Sequence, residues 1–196
     1  MTVLSLGEAE ALARKAARGA GFGWGMAEEA GRALRWLCAR GLPGGAALAA
    51  LLSAREDDSL GGACPLVTGT ALADGAATAR ELGAVAWPLL LLPFAAQSSS
   101  RTGCPVQLAW DGAQVDLAPD GTAFLGARAA LDAPRAASVV LRRVPRPEGT
   151  PLARGTRAAL DAAACAVLDR FAARTYAPAT PESRLAGAGA GLTDND

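Results

Sequence analysis

The sequence predicts an α+β fold with an N-terminal helical layer, a small antiparallel β-meander in the second half and a long C-terminal helix. Three observations support this prediction. Apolar residues recur at helical spacing through much of the first half of the chain. Short stretches after Gly103 alternate between apolar and polar residues around Asp-Gly turn signals. From about Thr156, apolar residues return to helical spacing.

Capping signals delimit the predicted helices of the first layer. Ser5 and Glu8 have the spacing of a capping box, so a first helix is expected over residues 6–18. A second helix is expected from about Met26, with Gly41 at its C-terminal cap. A third, rich in Ala and Leu, is expected over residues 45–54. The apolar faces of these three helices should pack against one another.

The middle of the chain has weaker signals. Residues 67–70 favour a strand and residues 76–82 favour a short helix. Residues 87–94 fit either a buried strand or a helix that begins at Pro88 and continues to about Arg101. The helix is favoured, because Pro93 would interrupt a central strand.

The clearest local prediction is a β-hairpin. Residues 106–110 and 114–117 alternate with period two and flank Asp111-Gly112. Residues 122–125 and 138–142 are expected to add strands, and residues 156–175 a helix. The chain is interpreted as one globular domain over residues 1–176, followed by a disordered tail over residues 177–196, where Pro, Ala, Gly, Ser and Thr predominate.

Composition excludes several classes of function. The chain has no histidine, so His-based catalytic triads and His-bearing zinc sites are excluded. Nineteen basic and nineteen acidic residues give a net charge of zero with no basic stripe, which argues against a nucleic-acid partner. The acidic residues follow no metal-loop pattern. We therefore predict no metal and no cofactor.

The first residues contain neither a basic segment nor an apolar one of the kind that directs secretion. The most apolar run, residues 85–96, is interrupted by two prolines and is too short to cross a bilayer. The protein is therefore expected in the cytoplasm and away from membranes. In that reducing compartment, cysteines without C-x-x-C spacing are expected to be ordinary buried thiols.

Alternating glycines at residues 19–25 precede the second predicted helix. Glycines before a helix can expose backbone N–H groups to a phosphate. Here, however, the segment joins two helices, and Glu28 and Glu29 would repel an anion. A turn between helices is the preferred interpretation.

Five residues are candidates for a ligand site. Cys64 and Cys104 each follow a glycine-bearing loop and precede a proline, and either thiol could become reactive at a helix N-terminus or beside an arginine. Ser99 and Arg101 could hold a carboxylate or phosphate, and Asp74 could join Glu28 or Glu29 in a carboxylate site for a hard cation. If the chain has a ligand pocket, the five candidates are the predicted lining, between the helical layer and the sheet.

Several short stretches of the chain are similar to one known family. They are residues 6–21, Trp24-Gly25, residues 27–30, Cys64-Pro65-Leu66, residues 71–74 and residues 90–94. On these stretches the chain resembles a bacterial family that is known only as a domain of unknown function, and the resemblance extends to Arg174. It implies no activity, because none is assigned to that family.

A second resemblance is confined to about the first forty residues. The segments at residues 12–16, 20–21 and 27–29, with Arg40-Gly41, are similar to the N-terminal helices of the non-Rossmann malate/L-lactate dehydrogenase family. That family continues with Ser-His-Gly, whose histidine transfers a proton, whereas this chain has Leu42-Pro43-Gly44-Gly45. The resemblance therefore extends to a pair of amphipathic helices and not to the catalytic residue.

Two functional hypotheses follow. The first is a non-catalytic binding or accessory subunit, with a protein partner or a second copy of the chain bound through exposed tryptophans. The tryptophans are Trp24, Trp36, Trp87 and Trp110, and core positions are an equal alternative for them. The second hypothesis is a small-molecule-binding protein or enzyme that uses Cys, Asp and Arg residues in a pocket.

Overall fold

The computed structural model describes residues 1–74 and 79–176, and the fold is α+β as predicted. The predicted tail, residues 177–196, lies outside the described residues. The helices of the first half are α1 (Leu6–Gly19), α2 (Trp24–Cys38), α3 (Gly44–Glu56) and α4 (Pro65–Asp74). A 3₁₀ turn (Pro88–Leu91) leads into α5 (Leu92–Thr102), and α6 (Ala162–Ala173) comes last.

Local sequence signals place the ends of several helices. The Ser5 hydroxyl accepts a hydrogen bond from the Glu8 N–H, and the Glu8 carboxylate accepts one from the Ser5 N–H, which confirms the capping box. The helix from Pro88 is confirmed in outline, since the 3₁₀ turn and α5 form a continuous helical segment. It ends at Gly103, which has a φ of +65° that favours glycine.

The predictions for residues 67–70 and 76–82 are wrong. Residues 67–70 belong to α4, and Ala79–Glu81 form the edge strand β2. The short Val67-Thr68-Gly69-Thr70 pattern resembles a strand, but tertiary contacts override it. Leu66, Gly69, Leu72 and Ala73 recur at helical spacing and are all buried. The part of the second prediction at residues 76–78 lies outside the described residues.

The strands form three antiparallel groups. The largest is a six-stranded sheet in the order β2-β8-β4-β5-β6-β9, with β4 (Val106–Trp110), β5 (Ala113–Leu117), β6 (Ala123–Arg128), β8 (Val139–Arg143) and β9 (Thr150–Pro151). The other groups are two-stranded: β1 (Thr2–Ser5) pairs with β10 (Arg157–Leu160), and β3 (Val85–Ala86) pairs with β7 (Arg135–Ala136).

The predicted meander is present as β4, β5 and β6, and it is joined by β8. Gly112, with a φ of +79°, makes the tight turn between β4 and β5. After β6 the chain returns so that β8 pairs with β4, and the four strands take the order of a Greek key. Sequence alternation could show the strands but not this return.

The C-terminal helix begins later than predicted. Residues 157–160 form β10 instead of its first turn, because they pair with β1 at the N-terminus. Asp161 then caps α6 by accepting hydrogen bonds from the N–H groups of Ala163 and Ala164. No helix among the described residues is long and apolar enough to cross a membrane.

One apolar core joins the helical layer to the inner face of the sheet. The inner face carries Val106, Leu108 and Trp110 of β4 and Val115 and Leu117 of β5, all buried. Helix α5 packs on these two strands and also on α2 and α4. As a result, α5 has one face in the core and another that faces α2 across a groove.

Candidate functional site

A groove between α2 and α5 lies near several of the predicted site residues. A cavity of about 340 Å³ lies at its centre, between Arg32 and Trp36 of α2 and Phe94 and Gln97 of α5. A cavity of about 250 Å³ continues it towards α4, and the two share Glu29, Phe94 and Gln97. The central cavity touches the sheet only at Gly121, in the turn between β5 and β6. The main cavity is therefore largely interhelical, whereas the sequence places the pocket between helices and sheet.

The structure brings two of the five predicted site residues to one cavity. Asp74, at the end of α4, and Arg101, on α5, both line the cavity of about 250 Å³ and are both exposed. Glu29 of α2 lines the same cavity. These side chains place both signs of charge at this end of the groove.

Ser99 faces the protein interior. Its side chain is fully buried, and the hydroxyl lies 2.8 Å from the carbonyl oxygen of Cys104 and 2.9 Å from that of Leu117. It can donate to either of these carbonyls. The contact joins α5 to β5 and to the segment before β4, so in this structure Ser99 has a positioning role.

The two remaining predicted residues, Cys64 and Cys104, are half-buried cysteines. Cys64 precedes α4, and its carbonyl accepts a hydrogen bond from the Thr68 N–H. Cys104 lies between α5 and β4. All four cysteines are free. Within residues 1–74 and 79–176, no group of three or more cysteine, aspartate or glutamate residues is placed to hold a metal ion.

The buried thiol of Cys38 is expected to be the slowest of the four to react with an alkylating reagent. Burial raises the pKa of this thiol from 9.0 to about 11. At about pH 8, that change leaves roughly a hundredfold less thiolate, and the thiolate is the nucleophile. Timed alkylation with iodoacetamide, followed by peptide mass analysis, measures the four rates. Equal rates in denaturant are the control.

The same experiment tests whether Cys64 or Cys104 has a reactive thiol. Rapid, pH-dependent labelling of Cys64 or Cys104 in the native protein would support a reactive cysteine at that position. Rates no faster than in the denatured chain would argue against one. If Cys38 reacts as quickly as the half-buried cysteines, the burial argument for its thiol is wrong.

Arg40 is the most unusual charged residue in the groove. Its side chain is only 6% exposed, although it lines the central cavity. Its guanidinium stacks 3.7 Å from the centre of the Trp36 ring and donates hydrogen bonds to the carbonyl oxygens of Trp36 (3.0 Å) and Gly121 (2.6 Å). The guanidinium is therefore held in one orientation in the groove wall.

The charge of Arg40 is not balanced by a carboxylate. It makes no ion pair within residues 1–74 and 79–176, and its Nε is buried without a hydrogen-bond partner. Burial, together with the nearby positive charge of Arg154, lowers the pKa of Arg40 to about 10. The carbonyls near the end of α2 compensate part of the charge. The remaining positive charge of Arg40 nevertheless favours an anion beside its guanidinium.

Arg154 is placed beside Arg40 by a backbone contact. The N–H of Gly155 donates a hydrogen bond of 2.7 Å to the carbonyl of Ala39, next to Arg40 in the chain. This contact holds the connector between β9 and β10 against the end of α2. A further cavity, of about 300 Å³, lies here and shares Arg32, Trp36, Arg40 and Arg154 with the central one.

Arg40, Trp36 and Arg154 are not among the ligand-site residues that the sequence predicts. Arg40 follows a helix and precedes Gly41, a pattern typical of an exposed residue at a helix end. The structure buries it because the turn at Gly121 and the connector at Gly155 both cover the end of α2. These are long-range contacts, and no local spacing indicates them.

The tryptophans differ in exposure. Trp24 is 68% exposed, whereas Trp36 and Trp87 are half-buried. Trp110 is buried, and its indole N–H donates a 2.8 Å hydrogen bond to the carbonyl of Ala130. The core alternative is therefore correct for Trp110, whereas Trp24 is an exposed tryptophan.

The N-terminal part of the chain matches a known protein family. Residues 4–81 match the family of proteins of unknown function DUF3726. The DUF3726 match includes α1 to α4, with Trp36 and Arg40. It ends before α5 and Arg154, and is thus shorter than the resemblance noted in the sequence. No curated protein and no solved structure matches the chain, and the dehydrogenase resemblance has no support beyond the residues that suggested it.

Proposed function

We propose that this protein is a non-catalytic binding protein whose groove between α2 and α5 holds a small anionic ligand. The observation that carries the proposal is Arg40, a guanidinium in the groove wall that is buried and has no ion-pair partner among the described residues. Buried charges in proteins are usually paired. An anion in the cavity would supply the missing negative charge.

The fixed position of Arg40 supports binding. Two of its N–H groups donate to the carbonyls of Trp36 and Gly121, and the Trp36 ring supports its face. Because the guanidinium is already ordered, a ligand would lose little of its binding energy to restricting that side chain. The central cavity of about 340 Å³ is large enough for a small metabolite.

The chemistry of the lining supports binding over catalysis. Glu29 forms an ion pair with Arg32, so this carboxylate is engaged. The residues that line the central cavity include no cysteine or lysine, and the chain has no histidine. The Ser100 hydroxyl also lines this cavity, but no hydrogen bond joins it to a base among the described residues, so the activated nucleophile that acyl or phosphoryl transfer commonly uses is not assembled there.

Calorimetric titration of the full chain with inorganic phosphate tests the proposal. We expect phosphate to bind measurably to the native protein. We expect its affinity for the Arg40→Gln variant to be lower by about tenfold or more, because the substitution removes a charged hydrogen bond at a buried site. Arg128→Gln is the matched control, because Arg128 is exposed on β6 and does not line the groove.

Two results would contradict the proposal. One is the absence of phosphate binding to the native protein, with a carboxylate such as citrate also failing to bind. The other is equal binding to the native protein and to a folded Arg40→Gln variant. Circular dichroism melting of each variant establishes that it is folded.

Trp24 supports a second candidate function, that of an accessory subunit with a protein partner or a second copy of the chain. It is a large apolar side chain that is 68% exposed, with the Arg18 guanidinium 4.5 Å from the ring centre. Trp and Arg are enriched in protein interfaces. Sedimentation of the native protein and of Trp24→Ala tests this: loss of a dimer only in the variant supports it, and a native monomer argues against self-association.

The cytoplasmic location and the absence of a nucleic-acid partner stay predictions.

A further inference from the structure

Two guanidinium groups, rather than one, face the groove at the end of α2. Arg40 and Arg154 both line the central cavity and also the neighbouring cavity of about 300 Å³. The two cavities therefore meet at a wall that carries both arginines. The hydrogen bond from the Gly155 N–H to the Ala39 carbonyl keeps the Arg154 segment at this wall.

The other arginines at this wall have their own carboxylate partners. Arg32 pairs with Glu28 and Glu29 on α2. Arg35 lies 2.8 Å from the Glu10 carboxylate on α1. By contrast, neither Arg40 nor Arg154 forms an ion pair in the part of the chain that the structure describes. Two positive charges therefore lack a protein counter-charge at this point.

These two charges repel each other. The positive charge of Arg154 disfavours the charged form of Arg40, in addition to the effect of burial. A ligand with one negative charge would offset only one of the two guanidinium groups. A ligand with two negative charges on neighbouring atoms would offset both and would also relieve their repulsion.

Resting on the proposed function, we infer that the groove recognises a compact dianionic head group held between Arg40 and Arg154. A phosphate monoester and a short dicarboxylate share this chemistry. Both present several oxygen atoms to the forked N–H donors of arginine. Arg40 supplies the fixed donor, and the exposed Arg154 supplies the donor that can adjust to the ligand.

The inference is tested by calorimetric titration of the full chain with two matched pairs of probes at about pH 8, where a phosphate monoester carries close to two charges. Methyl phosphate is compared with dimethyl phosphate, which has one charge. Succinate is compared with succinamate, which also has one charge. We expect the dianion of at least one pair to bind about tenfold more tightly than its monoanionic partner.

Arg154→Gln separates charge recognition from other differences between the probes. Arg154 is exposed, so the change should leave the fold intact. We expect the variant to lose the preference for the dianion while it still binds the monoanion through Arg40. Arg128→Gln, on strand β6, is expected to keep the full preference. The phosphate and succinate pairs distinguish the two sources of the head group.

Each outcome bears on the inference. Equal binding of monoanion and dianion by the native protein overturns it while leaving the proposed anion site in place. A dianion preference that persists in Arg154→Gln also overturns the inference, because a group other than Arg154 would then bind the second negative charge of the ligand. Failure of all four probes to bind contradicts both the inference and the proposed function.

Discussion

Replacing Gly19 by alanine is expected to lower the free energy of unfolding by about 3 kcal/mol, the upper part of the range for overpacking in a well-filled core. Gly19 is the last residue of α1, and this helix packs directly against α6. A Cβ atom at Gly19 would overlap the carbonyl oxygen of Phe171 and lie 2.7 Å from its carbonyl carbon. A backbone carbonyl cannot rotate away as a side chain can, so α1 and α6 would have to separate.

Gly7→Ala is the matched control, since Gly7 belongs to the same helix and a Cβ there meets nothing within 4 Å. Alanine favours helix over glycine, so stability should be unchanged or slightly raised. Urea denaturation of the native protein and the two variants measures the difference. A loss of similar size in both variants, or no loss in Gly19→Ala, would show that the contact between α1 and α6 is not tight.

Replacing Asp116 by alanine is expected to destabilise the protein by about 3 kcal/mol, because it leaves buried hydrogen-bond donors without a partner. The Asp116 side chain on β5 is only 1% exposed. It accepts hydrogen bonds from the Gln107 side-chain amide (2.8 Å) and from the backbone N–H of Glu148 (2.9 Å). Gln107 in turn accepts a 2.8 Å hydrogen bond from Arg142 on β8. One carboxylate therefore links β4 and β5 to the segment before β9.

Asp132→Ala is the control for the loss of a carboxylate, because Asp132 is exposed. We expect a change of no more than about 0.5 kcal/mol there. Hydrogen exchange supplies a more specific readout: the Glu148 amide should exchange faster in Asp116→Ala and at the native rate in Asp132→Ala. An unchanged rate at Glu148 together with native stability would mean that the network around Asp116 contributes little.

Much of the secondary structure follows from local sequence signals. The Ser5–Glu8 capping box, the Asp111-Gly112 turn and the helix end at Gly103 each depend on residues that are close in the chain. Such signals act through local backbone geometry and short hydrogen bonds. They are therefore readable from the sequence without any knowledge of the tertiary fold.

The secondary-structure predictions are wrong where contacts with distant parts of the chain outweigh the local preference for helix or strand. Residues 67–70 look like a strand, yet Gly69 lies in α4 directly against the Phe94 ring of α5, where a Cβ would come within 2.6 Å of the ring. Residues 157–160 continue the pattern of the following helix, yet they form β10 because β1 pairs with them. In both cases the deciding partner is distant in sequence.

The candidate site also combines residues that the local sequence indicates with residues that only tertiary contacts single out. The sequence singled out Asp74 as a possible cation-site carboxylate and Arg101 as a possible anion-binding guanidinium, and the structure brings both to one end of the groove. The sequence did not single out Arg40, whose burial depends on Gly121 and Gly155, more than eighty positions further along the chain. An arginine beside a helix end is usually exposed, so only its tertiary neighbours make it unusual.

The sequence by itself determined the α+β class, the helix caps and the central hairpin, and its lack of histidine excluded His-based chemistry. The tertiary structure alone decided the Greek-key return of β8, the pairing of β1 with β10, and the meeting of Arg40 and Arg154 at one groove. The physical reason is that caps and turns depend on neighbouring residues, whereas burial and the balance of charge depend on which distant segments pack together.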